Sequence, residues 1–243
     1  MKKLRSPRLI AGLIAMAMLA FTTACQTSGD DSDDDALALL ALATACTPST
    51  TANYRLTFDA TWSAATHPES FPSNPHFSRM IGATHSASNA IWQNGGTATT
   101  GIKNMAETGA TTQLAAEIAA LQTAGLALTL IEDTTNITNS PGSDTIEFST
   151  NNCNSLVSVV AMIAPSPDWF IGVNSMNLLS GGEFVASATH NLFAYDAGTD
   201  SGTTYTSADS ATNPQSTITR IEELPFYASG ALRQMGTFTF TKL

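Results

Sequence analysis

The sequence predicts a mostly β protein, an antiparallel β-sandwich with a short helical insertion. Three observations carry that expectation. Tyr54, Leu56 and Phe58 alternate with Arg55, Thr57 and Asp59, the period-two pattern of a strand with one buried face. Phe238 and Phe240 repeat the pattern among threonines in Thr237–Lys242, with further strand-length runs at Leu126–Ile131, Thr145–Thr150, Ser155–Ala164 and Trp169–Leu178. One segment has clear helical spacing: in Thr112–Ala124, Leu114, Ile118 and Leu121 recur at i, i+4 and i+7, and Gly125 ends the run. Many strands and few helices fit two packed layers, and 243 residues are enough for one sizeable core.

The N-terminus reads as an export signal over residues 1–24. Lys2, Lys3, Arg5 and Arg8 precede an apolar run at Leu9–Phe21, shorter than the roughly 20 residues a membrane span needs. Phe21-Thr-Thr-Ala-Cys25 resembles a bacterial lipoprotein cleavage box, with Thr22 where an aliphatic residue is usual, so Cys25 is expected to carry the lipid. Residues 25–50 read as a tether. Its acidic run, Asp30, Asp31 and Asp33–Asp35, should stay solvated, and the Leu/Ala-rich stretch 36–45 is too short to span a bilayer. Gln26 stands where inner-membrane lipoproteins often carry Asp, which points to the outer membrane. Residues 51–243 form the expected folded domain. Within it, the Pro-rich stretch from His67 to Pro75 is a loop and Gly101–Glu107 a short turn.

Charge and cysteine count narrow the partners. Four of the ten Lys and Arg lie ahead of Cys25, leaving six against twenty Asp and Glu. Nucleic acid binding requires a basic footprint to neutralise phosphates, and the mature chain has none. Anionic lipid is an equally poor match, so membrane attachment is expected through the lipid alone. Cys46 and Cys153 remain after lipidation. In an exported chain two leftover cysteines predict a disulfide, with two buried thiols as the alternative.

Ala164–Gly202 concentrates the candidate chemistry. Pro165 and Pro167 stiffen the approach to Asp168, while Asp196 and Asp200 flank a turn in which Gly198 can adopt positive φ. Three carboxylates on one point repel unless a hard cation lies between them, and calcium accepts a loose cage of about 6–8 oxygens. The alternative is three ordinary Asx-turns.

The motifs PSPDWFIGV and YDAGTDSG, followed by Thr212-Asn-Pro and the ITRI of Ile218–Ile221, resemble the spondin N-terminal domain family. Upstream, YRLTFDATWS (Tyr54–Ser63), HPESFP (His67–Pro72), HFSRMIGATHS (His76–Ser86) and AETG (Ala106–Gly109) are similar to the same family in the same order. The resemblance covers nearly all of Asn53–Leu243. It implies a C2-like β-sandwich with one structural calcium ion held by Asp168, Asp196 and Asp200. It also implies an adhesion or recognition module; the expected partner is an unidentified surface protein, glycan or matrix component, and the chain is expected to be a monomer. An acidic residue before Ser155-Leu-Val-Ser158 is implicated in adhesion in the animal members. Glu147 is the acidic side chain of that run here, in uncertain register.

Other chemistries are weaker. His67, His76 and His85 are spaced by nine and have no Glu or Cys at i±3 or i±4, so zinc is disfavoured against loop histidines bonding backbone groups. His85-Ser86 and Ser180-Gly181-Gly182 hint at a calcium-dependent hydrolase, but no G-x-S-x-G elbow exists. Glu107 is read as a carboxylate near a helix start, favoured by the dipole. A purely structural envelope lipoprotein is the third alternative.

Overall fold

The computed structural model describes residues 46–88, 90–137 and 139–243. The export signal, Cys25 and the acidic and Leu/Ala-rich parts of the tether lie outside the described residues. The chain runs β1 (Thr51–Ala60), β2 (His76–Phe77) and β3 (Ile81–His85), then α1 (Thr100–Thr108) and α2 (Thr112–Thr123). Next come β4 (Ala127–Glu132), β5 (Gly142–Asn151), β6 (Leu156–Ala164), β7 (Trp169–Asn177), β8 (Leu179–Ser180) and β9 (Glu183–Phe184). It ends with β10 (Ser187–Leu192), β11 (Ala194–Asp196), β12 (Thr219–Arg220), β13 (Tyr227–Ala228), β14 (Ala231–Leu232) and β15 (Gly236–Lys242).

Two antiparallel sheets form the sandwich. One has the order β10-β15-β1-β5 and the other β12-β11-β7-β6-β3-β4, with β2 also paired to β6. β1 buries Tyr54, Leu56 and Phe58 and leaves Asn53, Arg55 and Asp59 in solvent. Its partner β15 does the same, with Phe58 opposite Phe238 and Leu56 opposite Phe240. The Phe58 and Phe238 rings meet edge to face at 5.1 Å. β6 instead is buried on both faces. Val157, Val159, Ala161 and Ile163 join the core between the sheets, while Val160, Met162 and Ala164 pack with Ile102, Met105, Leu114 and Ile118 of the helices. That double burial is why its sequence is a continuous apolar run without alternation.

The helical insertion is larger than the single helix and short turn expected. α1 is a full helix: Thr99 Oγ1 accepts from Ile102 N at 3.2 Å, and Gly109, at φ 70°, closes the other end with its N–H on Met105 O. Glu107 lies in its last turn, not near a helix start. There it faces the negative end of the dipole and is held by Lys103 one turn earlier. Glu117 of α2 accepts from Thr99 Oγ1 (2.6 Å) and Gly101 N (2.7 Å), locking the two helices.

Cys46 and Cys153 form a disulfide with Cα atoms 5.6 Å apart, and Asn152 Oδ1 accepts from Ser49 N and Thr50 N. Residues 46–50 are therefore fastened to the β5–β6 turn and do not behave as free tether. Closing a loop of this separation, 107 residues, constrains the unfolded chain by about 4–5 kcal/mol.

Strand ends collect loops into one rim opposite the disulfide. The ends of β1, β4, β6 and β11 meet the starts of β3, β5, β7 and β12 there, as the pairs Ala60–Gly142, Ile81–Glu132 and Asp196–Trp169 require.

Candidate metal centre

Asp168 ends the β6–β7 loop and is fully buried. Its Oδ2 accepts three hydrogen bonds, from Thr199 N (2.7 Å), Asp200 N (3.0 Å) and Thr199 Oγ1 (3.1 Å). Its Oδ1 is buried with no hydrogen-bond partner. Burial pushes the carboxyl pKa up, opposed by those three donors, while the nearby Asp200 charge raises it further.

Asp196 is the last residue of β11, in register with Trp169, so pairing of β11 with β7 sets it beside Asp168. Its Oδ1 accepts from Gly198 N at 2.7 Å. Gly198 has φ 74°, and a Cβ there would lie 2.5 Å from Ser216 O, so the turn needs glycine both for conformation and for room. Desolvation, then repulsion from Asp168 and more weakly from Asp200, raises the Asp196 pKa to about 6. No basic side chain is among the groups acting on it. Arg220, which lines the same cleft as Asp196, has its guanidinium held by Glu222 at 2.5 Å.

Asp200 is used differently. Oδ1 accepts from Gly202 N (2.7 Å) and Oδ2 from Ser210 N (2.6 Å), so both oxygens organise the 201–210 excursion. The three expected carboxylates thus share one patch of rim and repel one another. Among the described residues, no three acidic, imidazole or thiol side chains converge closely enough to hold a metal by themselves. The donor set still suits a calcium-type ion: one buried, orphaned carboxylate oxygen, a second carboxylate whose ionisation is opposed, and backbone carbonyls for the remaining positions.

A cleft of about 350 Å³ opens over the patch, lined by Trp169, Asp196, Asp200, Thr219, Arg220 and Glu222. Its floor belongs to an aromatic cluster in which Trp169 meets Tyr205 at 5.3 Å and Phe226 at 5.1 Å, and Trp62 meets Tyr205 at 5.4 Å. Neither that floor nor the role of Thr199 was evident from sequence. Aromatic residues scattered over more than 160 positions show no common period, and a backbone donor carries no residue signature.

The histidines do not assemble. His67 Nδ1 bonds Thr66 Oγ1, His76 Nδ1 bonds Asn74 O, and His85 Nδ1 bonds Ala87 O; the two that bond backbone, His76 and His85, stand on β2 and β3, and the loop histidine His67 bonds a side chain instead. His85 Nε2 lies 2.9 Å from Ser158 Oγ rather than Ser86. Both His85 and Ser158 are fully buried, and Ser175 N also donates to that hydroxyl, so the pair knits β3, β6 and β7 and offers no nucleophile to solvent. Glu147 is exposed on β5 and pairs with Arg55 of β1 at 2.6 Å.

A two-sheet β-sandwich that gathers buried and half-buried aspartates into loops at one end defines the class. Comparison with known proteins supplies the family. Residues 52–231 match the Spondin_N family, and the chain belongs to it. It is 35% identical to human Spondin-2 over 179 residues, covering 72% of this chain and 54% of that protein. It is 36% identical to chicken Spondin-1 over 197 residues, covering 75% of this chain and 24% of that protein. The chain therefore spans about half of Spondin-2 and about a quarter of Spondin-1. Among the described residues no helix is long and apolar enough to cross a membrane.

Proposed function

We propose that the chain is an exported, lipid-anchored adhesion or recognition module whose binding loops are stiffened by one structural calcium ion. Asp168 and Asp196 are its principal side-chain ligands and Asp200 a flanking one, with carbonyl and water oxygens completing the shell. The observation that carries this reading is the partnerless, buried Asp168 Oδ1 beside a second carboxylate that resists ionisation. Bound there, calcium supplies the positive charge that lets both carboxylates ionise without splaying the two loops. Asp168 already ties the β6–β7 loop to the 197–200 turn through Oδ2, which leaves Oδ1 free for ligation.

The spondin resemblance supports adhesion as the activity, and the rim loops are the surface offered to a partner. That partner is a surface protein, glycan or matrix component, and the acidic balance argues against nucleic acid. Cys25 is the proposed lipid site, after removal of residues 1–24, with outer-membrane sorting.

Thermal melting of the chain with calcium and with EDTA tests the ion. Calcium should raise the melting temperature in proportion to ln(1 + [Ca]/Kd), and Asp196→Asn should remove the part of the response that this ion contributes. Identical melts with and without EDTA would refute it. Pull-down from matrix, glycan and envelope extracts, with and without calcium, identifies the partner. Cys25→Ser should release the protein from the membrane fraction.

A further inference from the structure

A second pair of carboxylates stands on the same rim, outside the spondin motifs quoted above. Asp133 follows β4 and Asp144 lies near the start of β5, strands whose ends meet at this edge of the sandwich. Asp133 is 7% exposed. Its Oδ1 accepts from Thr134 N (2.6 Å), Thr135 N (3.2 Å) and Thr135 Oγ1 (3.2 Å). Its Oδ2 is buried and has no hydrogen-bond partner. Asp144 Oδ1 accepts from Thr145 N at 2.7 Å, and Asp144 Oδ2 lies 2.6 Å from the same Thr135 Oγ1.

The proton inventory does not balance. Thr135 has one hydroxyl hydrogen and two carboxylates within bonding distance, so it can satisfy only one of them. Among the described residues neither carboxylate forms an ion pair. Arg79, which pairs with Glu132 next to Asp133 in sequence, spends its guanidinium on Thr111 (2.5 Å) and Glu132 (3.8 Å). Burial, and repulsion from Asp144, raise the Asp133 pKa, and only hydrogen bonds from Thr134 and Thr135 oppose that rise. A buried carboxylate oxygen without donor or counter-charge is costly unless a cation or a proton neutralises it.

We infer that Asp133, Asp144 and Thr135 form a second divalent-cation site, of calcium type, independent of the Asp168–Asp196 centre. Asp133 Oδ2 and the Asp144 carboxylate supply the charge and Thr135 Oγ1 a neutral oxygen, with loop carbonyls and water available for the rest. A hard ion with a loose oxygen shell fits this set better than magnesium, which demands a near-ideal octahedron. With two carboxylates, the affinity belongs with extracellular modules, a Kd on the order of 0.1–1 mM. The ion would clip the β4–β5 loop to the first residues of β5, giving the rim two calcium-set loops instead of one.

The test is calcium stoichiometry on the full chain by equilibrium dialysis up to several millimolar, with circular dichroism to verify folding. Wild type should bind two ions, Asp144→Asn one and Asp196→Asn one. Asp133→Asn should match Asp144→Asn, and serves in its place if that variant fails to fold. Half-saturation of the surviving site should move less than about twofold in each variant. If Asp196→Asn leaves the stoichiometry unchanged while Asp144→Asn lowers it, the first centre fails and this one stands. A single ion in wild type that Asp196→Asn abolishes, or a stoichiometry left unchanged by both Asp133→Asn and Asp144→Asn, overturns the second site. Uptake of one proton per chain at Asp133 in place of an ion overturns it equally.

Discussion

The two acidic centres on the rim are built alike at one oxygen and differently at the other end of their hydrogen bonds. Asp168 collects three donors on one carboxylate oxygen and Asp133 two amides plus a hydroxyl contested by Asp144, and each leaves its second oxygen buried and bare. The donors to Asp133 are its next two residues, whereas those to Asp168 come from residues 199 and 200, on a different strand connection. One is a local turn and the other a tertiary clasp. The difference teaches that similar carboxylates contribute unequally to the fold: removing Asp168 detaches two loops from each other, and removing Asp133 relaxes one.

The largest expected effect separates them on that ground. Asp168→Ala strips the acceptor from two buried amides and a hydroxyl, so it should cost about 3 kcal/mol or more in EDTA as well as in calcium. In a domain of this size that lowers the melting temperature by about 6–12 °C. Asp133→Ala leaves its amides close to solvent in a single turn and should cost about 1 kcal/mol. Equal losses would remove the distinction between clasp and turn.

Asp196→Asn should act with the opposite sign. At pH 7 in EDTA it removes an ionised carboxylate repelled by Asp168, and the apo protein should gain about 1–2 kcal/mol. In saturating calcium the same variant should be the less stable protein. Differential scanning calorimetry in both buffers reads the crossing.

The pH profile sharpens this further. The folded pKa of Asp196 is raised, to about 6, so the folded state binds the extra proton between the ordinary carboxylate range and pH 6. Its contribution to apo stability is present below about pH 4 and is lost as pH rises through about 6. His67 runs the other way. Burial and Arg233 lower its pKa to about 4, so the unfolded state binds the extra proton and stability falls as pH drops from about 6.5. Subtracting the Asp196→Asn profile from wild type in EDTA isolates the first effect. A difference that stays flat between pH 4 and 7 would contradict it.

The smallest effect is a control on exposed charge. Glu147 and Arg55 are paired but about half exposed, so Glu147→Gln should change stability by less than about 0.5 kcal/mol and leave both calcium responses intact. Its use is functional: loss of adhesion at unchanged stability would place Glu147 in the partner surface.

Much of the fold was legible before the structure. β1 and β15 read directly because each has one wet face, so burial alternates with sequence and the period survives. α2 read for the same reason at a helical period. α1 was underestimated, although Ile102, Met105 and Ala106 carry the spacing and Thr99 and Gly109 the caps, because nine residues of mixed composition give a weak periodic signal. Asp168, Asp196 and Asp200 stood out through their Pro and Gly neighbours. Asp133 and Asp144 did not, since nothing local distinguishes them from turn residues.

By itself the sequence determined which faces are apolar, where turns fall, the sign of the charge and the loops that carry acid, since each of these depends on neighbours within a few positions. Only the tertiary structure decided which carboxylate oxygens have donors, that Asp200 spends both of its oxygens on amides, and that Asp133 and Asp144 share one hydroxyl. Those outcomes depend on strand register, which sets atoms from distant segments within 3 Å of one another, and hydrogen-bond supply is fixed at that range.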